Sequence, residues 1–154
     1  MRGVSFSGLA GPTPISSLAF TTRTSKRLFA SLEGQTQLRA LGVKWGDYDD
    51  LSPVAAMPEF RKLWLGGASS VRTLGPLTRL TRLRSLVIED LRYVRDLSPL
   101  AALTSVRDLE LCGDWKSSRI AHVESVGFLR QLPSLERLVL HTMNPDGVSG
   151  DLLV

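Results

Sequence analysis

This chain has few of the features that usually betray a function. It contains one cysteine, Cys112. No intrachain disulfide can form, which fits a reducing compartment. No apolar run reaches the ~18 residues that a spanning helix needs, so a membrane span is not expected. Acidic residues are missing from positions 1 to 32, which carry Arg2, Arg23, Lys26 and Arg27. That start has some flavour of a transit peptide, although its later part fits the repeat set out below. The rest of the chain is balanced, with 15 bases against 15 acids, so the net charge of +4 is local to the start. This is not the clustered basic face of a nucleic-acid binder. There is no G-x-S-x-G elbow, no P-loop, no H-E-x-x-H and no cysteine pair. Enzymatic, metal and cofactor chemistry are therefore not expected. His122 and Glu124 lie two apart, with no further ligand close in sequence. Cys112 with His141 is a thin nucleophile–base pair that lacks an orienting third group.

What the chain does have is repetition. LSPVAAMPEFRKLWL (51–65), LGPLTRLTRLRSLVI (74–88) and LSPLAALTSVRDLEL (97–111) agree in one register. An L-x-x-L-x-L pattern runs through Ile15/Leu18/Phe20, Leu38/Leu41/Val43 and Phe60/Leu63/Leu65. It continues through Leu83/Leu86/Ile88, Val106/Leu109/Leu111 and Leu135/Leu138/Leu140. Its first members are separated by 23, 22, 23, 23 and 29 residues. Fixed spacing in this range marks a solenoid.

Within one unit, alternating leucines put two side chains on the same face of a short strand. A small or polar stretch follows, then L-[SG]-P-[LV]. Ser52 or Ser98 is expected to cap a helical turn, with Pro53, Pro76 and Pro99 at its first position. The leucines beyond recur every three residues: Leu74, Leu77, Leu80 and Leu97, Leu100, Leu103. A period of three fits a 3-10 turn, where i and i+3 eclipse. No single unit can bury its own leucines, but stacked units cover one another. Every strand then runs in the same direction, giving a parallel sheet.

These residues resemble the leucine-rich repeat proteins, specifically the short internalin-like class, over about residues 15 to 140. The resemblance implies an α/β solenoid with six short parallel strands on the concave face and 3-10 or short helical segments on the convex face. The whole chain, 1–154, reads as one such domain, with repeats starting near 15, 38, 60, 83, 106 and 135. Residues 1–14 are an N-terminal cap or disordered, and 144–154 are a tail or incomplete repeat. In the first copy Phe29, Leu32 and Gln35 replace the convex leucines. The family's usual asparagine after the strand is replaced by Arg23, Gly46, Ala68, Leu91 and Asp114. The backbone groups it would serve must find water or each other, which predicts looser turns.

The resemblance also implies that the x positions face a partner. That face is basic and aromatic around Lys44, Trp45, Lys62 and Trp64. It is acidic around Glu89, Asp90, Asp108 and Glu110, with Arg137 and His141 on the last strand. Tryptophan on an exposed strand suits a binding hot spot. The plainer alternative is that Trp64 only packs on a neighbouring strand. Arg39, Arg61, Arg84 and Arg107 form a column that reads as solvated stems over apolar surface, the alternative being an edge that takes an acidic ligand. About six extra residues within 112–126 make a loop that holds Trp115, Lys116, Arg119 and His122, a second candidate contact.

The expected function is non-enzymatic recognition of a protein partner through the concave face and the 112–126 loop. No nucleic acid, membrane or cofactor is expected. The alternatives are the sensor portion of a larger signalling or defence protein and, less favoured, an enzyme using Cys112. The tail NPDGVSGDLLV (144–154) opens on a turn signal and supplies no polar capping unit. Self-association through that end is therefore an expectation. Arginine far outnumbers lysine, which together with the single cysteine favours a bacterial cytoplasm.

Overall fold

The computed structural model describes residues 13–114 and 121–145. Six parallel strands stack in the order β1 (Ser17–Thr24), β2 (Ala40–Gly46), β3 (Lys62–Leu65), β4 (Ser85–Ile88), β5 (Asp108–Cys112) and β7 (Arg137–His141). Short helical segments return the chain between them: α1 (Lys26–Ala30), α2 (Ser52–Ala55), and 3-10 turns at Gly75–Arg79, Ser98–Ala102 and Gly127–Gln131. The three-residue leucine period thus becomes 3-10 geometry in the two coils that display it, and in the next one.

From β2 to β7 the register is one to one, while between β1 and β2 it shifts once, between Phe20 and Arg23. Leu41, Leu63, Leu86, Leu109 and Leu138 are successive partners, as are Val43, Leu65, Ile88, Leu111 and Leu140. Along β3 burial alternates: Lys62 out, Leu63 in, Trp64 out, Leu65 in. The inward leucines meet Leu74, Leu77, Leu80, Leu97, Leu100 and Leu103 from the helical side in one continuous core. Each such leucine contributes about 1.5–3 kcal/mol by leaving water. The first coil joins the same core, with Phe29 stacked on Tyr48 at 4.8 Å between ring centroids. Gln35 is buried, and its Oε1 accepts from the backbone N–H and hydroxyl of Thr13.

Four local expectations need correction. Ser52 and Ser98 are not N-caps; those positions are Leu51 and Leu97, whose side chains cannot bond. Instead, Asp50 and Asp96 accept from the backbone N–H groups of Ser52 and Ser98, at 2.9 and 2.8 Å. Thr73 and Ser125 hold the N–H groups of Gly75 and Gly127 in the same way. All four coils therefore start their helical turn with a short polar side chain two residues upstream. Proline in consequence sits second in the turn, where its missing N–H still costs nothing.

The turns after the strands are not left to water. Ala68 N–H donates to the Glu89 carbonyl, Leu91 N–H to Cys112 and Gly113 N–H to His141, at 2.8–2.9 Å. Gly67 (φ 59°), Asp90 (φ 66°) and Thr142 (φ 51°) share one position, two residues past the last strand leucine. A left-handed residue there swings the next N–H towards the following coil. Ala68 and Leu91 stand at the asparagine position and are fully buried, so packing and inter-coil backbone bonds replace the amide.

Finally, Asn144 and Pro145 lie in a strand, not a turn. β6 (Ala121–Val123) and β8 (Met143–Pro145) form a separate parallel pair alongside the main sheet. Part of the long unit is thus paired structure. Trp115, Lys116 and Arg119 lie outside the described residues, as do Asp146 and the rest of the tail.

Candidate functional site

The open face of the sheet is built from alternate strand residues, and its relief follows from their size. Lys62 is flanked in register by Ala40 and Ser85, and Trp64 by Gly42 and Val87. Short neighbours leave the two long side chains of β3 standing above the sheet. The Trp64 indole leans towards β2: a Cβ on Gly42 would sit 3.4 Å from Trp64 Cε3 and 3.9 Å from Ala19 Cβ. The ring therefore has a shelf on one side, yet the residue remains 41% exposed. Trp64 thus packs on its neighbour and still presents a large apolar surface.

Trp45 ends β2 and is 49% exposed. Gly67 passes beneath it: a Cβ on Gly67 would come 2.9 Å from Trp45 Cβ. A side chain there would also be strained by the positive φ. Lys44, next to Trp45, is exposed. Two tryptophans and two lysines thus share the β2–β3 part of the sheet.

The acidic part is more committed than the sequence suggests. Arg137 Nε lies 3.3 Å from Asp108 Oδ1, and its Nη2 lies 3.5 Å from Glu110 Oε2. These partners are 29 and 27 residues away in sequence, so only the register brings them together. Asp90 is buried, and Arg92 donates to it at 2.9 Å. Glu89 is half-buried beside them. His141 lies exposed on β7, in register with Cys112. His122 is exposed on β6.

In the arginine column, Arg61 pairs with Glu59 at 3.3 Å and Arg107 with Glu136 at 3.8 Å. Pairs this exposed stabilise by ~1 kcal/mol at most. Their backbone does more. The carbonyls of Arg39, Arg61, Arg84 and Arg107 each accept two N–H groups from the next coil.

Cys112 is buried, and its thiol donates weakly to Glu110 at 3.8 Å. Desolvation, with the Glu110 and Glu89 charges, pushes its pKa up to about 11. A thiol held in its protonated form is a poor nucleophile, so these surroundings do not favour Cys112 as one. Among the described residues no three His, Cys, Asp or Glu side chains gather as metal ligands would. No described helix is long and apolar enough to cross a membrane.

Parallel strands stacked coil on coil, interior leucine columns and short helical or 3-10 returns define a leucine-rich repeat solenoid. Among solved structures, internalin C2 of Listeria monocytogenes matches with a TM-score of 0.59 at 25% identity, over 72% of this chain and 45% of that one. Internalin F of the same organism matches with a TM-score of 0.41 at 20% identity, over 75% of this chain and 44% of that one. The chain spans less than half the length of either protein. No protein-family profile and no curated protein matches the sequence. An internalin-like solenoid supports a protein-interaction domain in general terms.

Proposed function

We propose that the chain is a non-enzymatic recognition domain, and that it binds a protein partner through the open strand face centred on Trp64 and Lys62. The observation that carries this reading is the pair of exposed tryptophans on neighbouring strands, Trp64 leaning over Gly42 and Trp45 at the end of β2. Aromatic anchors of this kind carry a large share of interface energy. Lys44 and Trp45 extend the patch on one side. Glu89, Asp108, Glu110, Arg137 and His141 supply the polar part on the other, where charges set orientation and association rate more than affinity. The edge of β7, where Leu138 is 38% exposed, is proposed as a surface for self-association. The proposed compartment is the bacterial cytoplasm, on the reduced-cysteine and arginine-rich composition alone.

The test uses the Lys62→Ala/Trp64→Ala double variant. Proteins retained from source lysate by wild type and lost with the variant are identified by mass spectrometry. Each is then purified and titrated calorimetrically against both forms. The double variant is expected to bind at least about 30-fold more weakly, the effect of losing a hot spot of ~2 kcal/mol. A partner that binds both forms with equal affinity sinks the assignment of this face.

A further inference from the structure

A cavity of about 370 Å³ opens on the flank of the solenoid, where the chain leaves the strands. It is independent of the tryptophan face. Four consecutive coils contribute to it: Lys26 follows β1, Asp49 follows β2, Ser69, Ser70 and Arg72 follow β3, and Arg92 and Tyr93 follow β4. Its volume lies within the range of small-molecule sites.

Two of its cations are already committed. Lys26 Nζ lies 2.6 Å from Asp49 Oδ2. Arg92 is held by Asp90 at 2.9 Å and reaches Asp114 at 3.6 Å. Arg72 differs. Its guanidinium carbon sits 4.7 Å above the Tyr93 ring, and it has no carboxylate partner among the described residues. Stacking engages the guanidinium face and leaves the N–H edge available. The platform also restrains the side chain before any ligand arrives, so less freedom is lost on binding. The half-buried Ser69 and Ser70 hydroxyls stand in the same cavity and make no hydrogen bond among the described residues. A planar cationic fork with two hydroxyl donors fits an anion that offers several oxygens.

We propose that this flank cavity binds a small oxyanion, a phosphoryl or carboxylate group, with Arg72 as the charged anchor on its Tyr93 platform and Ser69 and Ser70 as neutral donors. The site reads a group that a partner or small ligand carries, at a place the open strand face does not reach. The test is a titration of the ¹⁵N-labelled chain with inorganic phosphate, and in a second series with citrate, at constant ionic strength. Saturating amide shifts centred on Ser69, Ser70 and Arg72 are expected with at least one anion. Preference for phosphate assigns a phosphoryl ligand, and preference for citrate a carboxylate. Arg72→Gln is expected to weaken binding at least about tenfold, as loss of a charge-assisted bidentate contact should. Arg79→Gln, the same charge change on a 3-10 turn, leaves it unchanged. Ser70→Ala is expected to weaken binding without altering charge, and serves as the check should Arg72→Gln disturb the fold. Shifts that fail to saturate with both anions, or unchanged affinity in the Arg72 and Ser70 variants, overturn the proposal.

Discussion

The middle coils and the last strand carry the same pattern and meet different fates. Leu63, Leu86 and Leu109 are fully buried, each with a coil on both sides. Leu138 is the next member of their column on β7, an edge strand of the six-stranded sheet, and it is 38% exposed. The residue type and its place in the unit are identical, so neither sets its stability. What differs is the number of neighbouring coils. In a solenoid a residue's contribution is conferred by the units stacked against it.

The largest predicted effect exploits that contrast. Leu86→Ala removes a side chain enclosed from both sides and leaves a cavity that a regular stack cannot close by collapsing. It is expected to cost about 3–5 kcal/mol in chemical denaturation. Leu138→Ala is expected to cost about 1 kcal/mol, because its side chain already meets water. Equal losses at the two positions would show that stacking is not what makes the column stable.

Tyr48 offers a sharper probe at the other end of the stack. It is buried against Phe29, and its hydroxyl donates to the Gly66 carbonyl at 2.7 Å, tying the second coil to the third. Tyr48→Phe keeps the ring and strands the carbonyl, at an expected cost of about 1–2 kcal/mol. Burial, with the Glu89 and Asp90 charges, raises the pKa of the phenol above its ordinary value. Folding therefore favours the protonated phenol. The stabilisation is complete below the ordinary tyrosine pKa of ~10 and is lost as pH rises through the folded value. Wild type should thus lose stability above about pH 10 more steeply than Tyr48→Phe, and parallel curves would refute the buried bond. Cys112, pushed up to about 11, adds an alkaline dependence that both proteins share.

How much of this is legible in the sequence depends on which force writes it. Burial demands an apolar side chain at each inward position, so Leu63, Leu86 and Leu109 recur at fixed spacing and give away strands, register and core. The three-residue period at Leu97, Leu100 and Leu103 discloses the 3-10 turns for the same reason. Exposed positions carry no such demand. That Arg137 bridges Asp108 and Glu110, or that Arg72 lies on Tyr93, depends on side chains meeting across coils, and no local pattern encodes it. The left-handed turn at Gly67, Asp90 and Thr142 hides because three residue types satisfy one backbone need. Trp64 stands between these cases: its exposed strand position is readable, but the Gly42 shelf beneath it emerges only from the register.

The smallest predicted effect compares coils by the chemistry of their turns. Asp50 and Asp96 start theirs with a carboxylate, Thr73 and Ser125 with a hydroxyl. The Ser98 hydroxyl and backbone N–H both bond the Asp96 carboxylate and hold its pKa below the ordinary value; Ser52 does the same for Asp50. Folding therefore favours the ionised form. The stabilisation is present above the ordinary aspartate pKa of ~4 and disappears as pH falls through the folded value. Asp96→Ala should lower the thermal midpoint at neutral pH by less than Tyr48→Phe does, since this turn is exposed. The gap to wild type should then narrow as pH drops from about 5 to about 2. Thr73→Ala, which removes an uncharged acceptor from the equivalent position, should lower the midpoint by an amount that does not change over the same range. A gap at Asp96 that stays constant with pH would mean that the turn is held by its shape alone, and that carboxylate and hydroxyl are interchangeable at the start of these four turns.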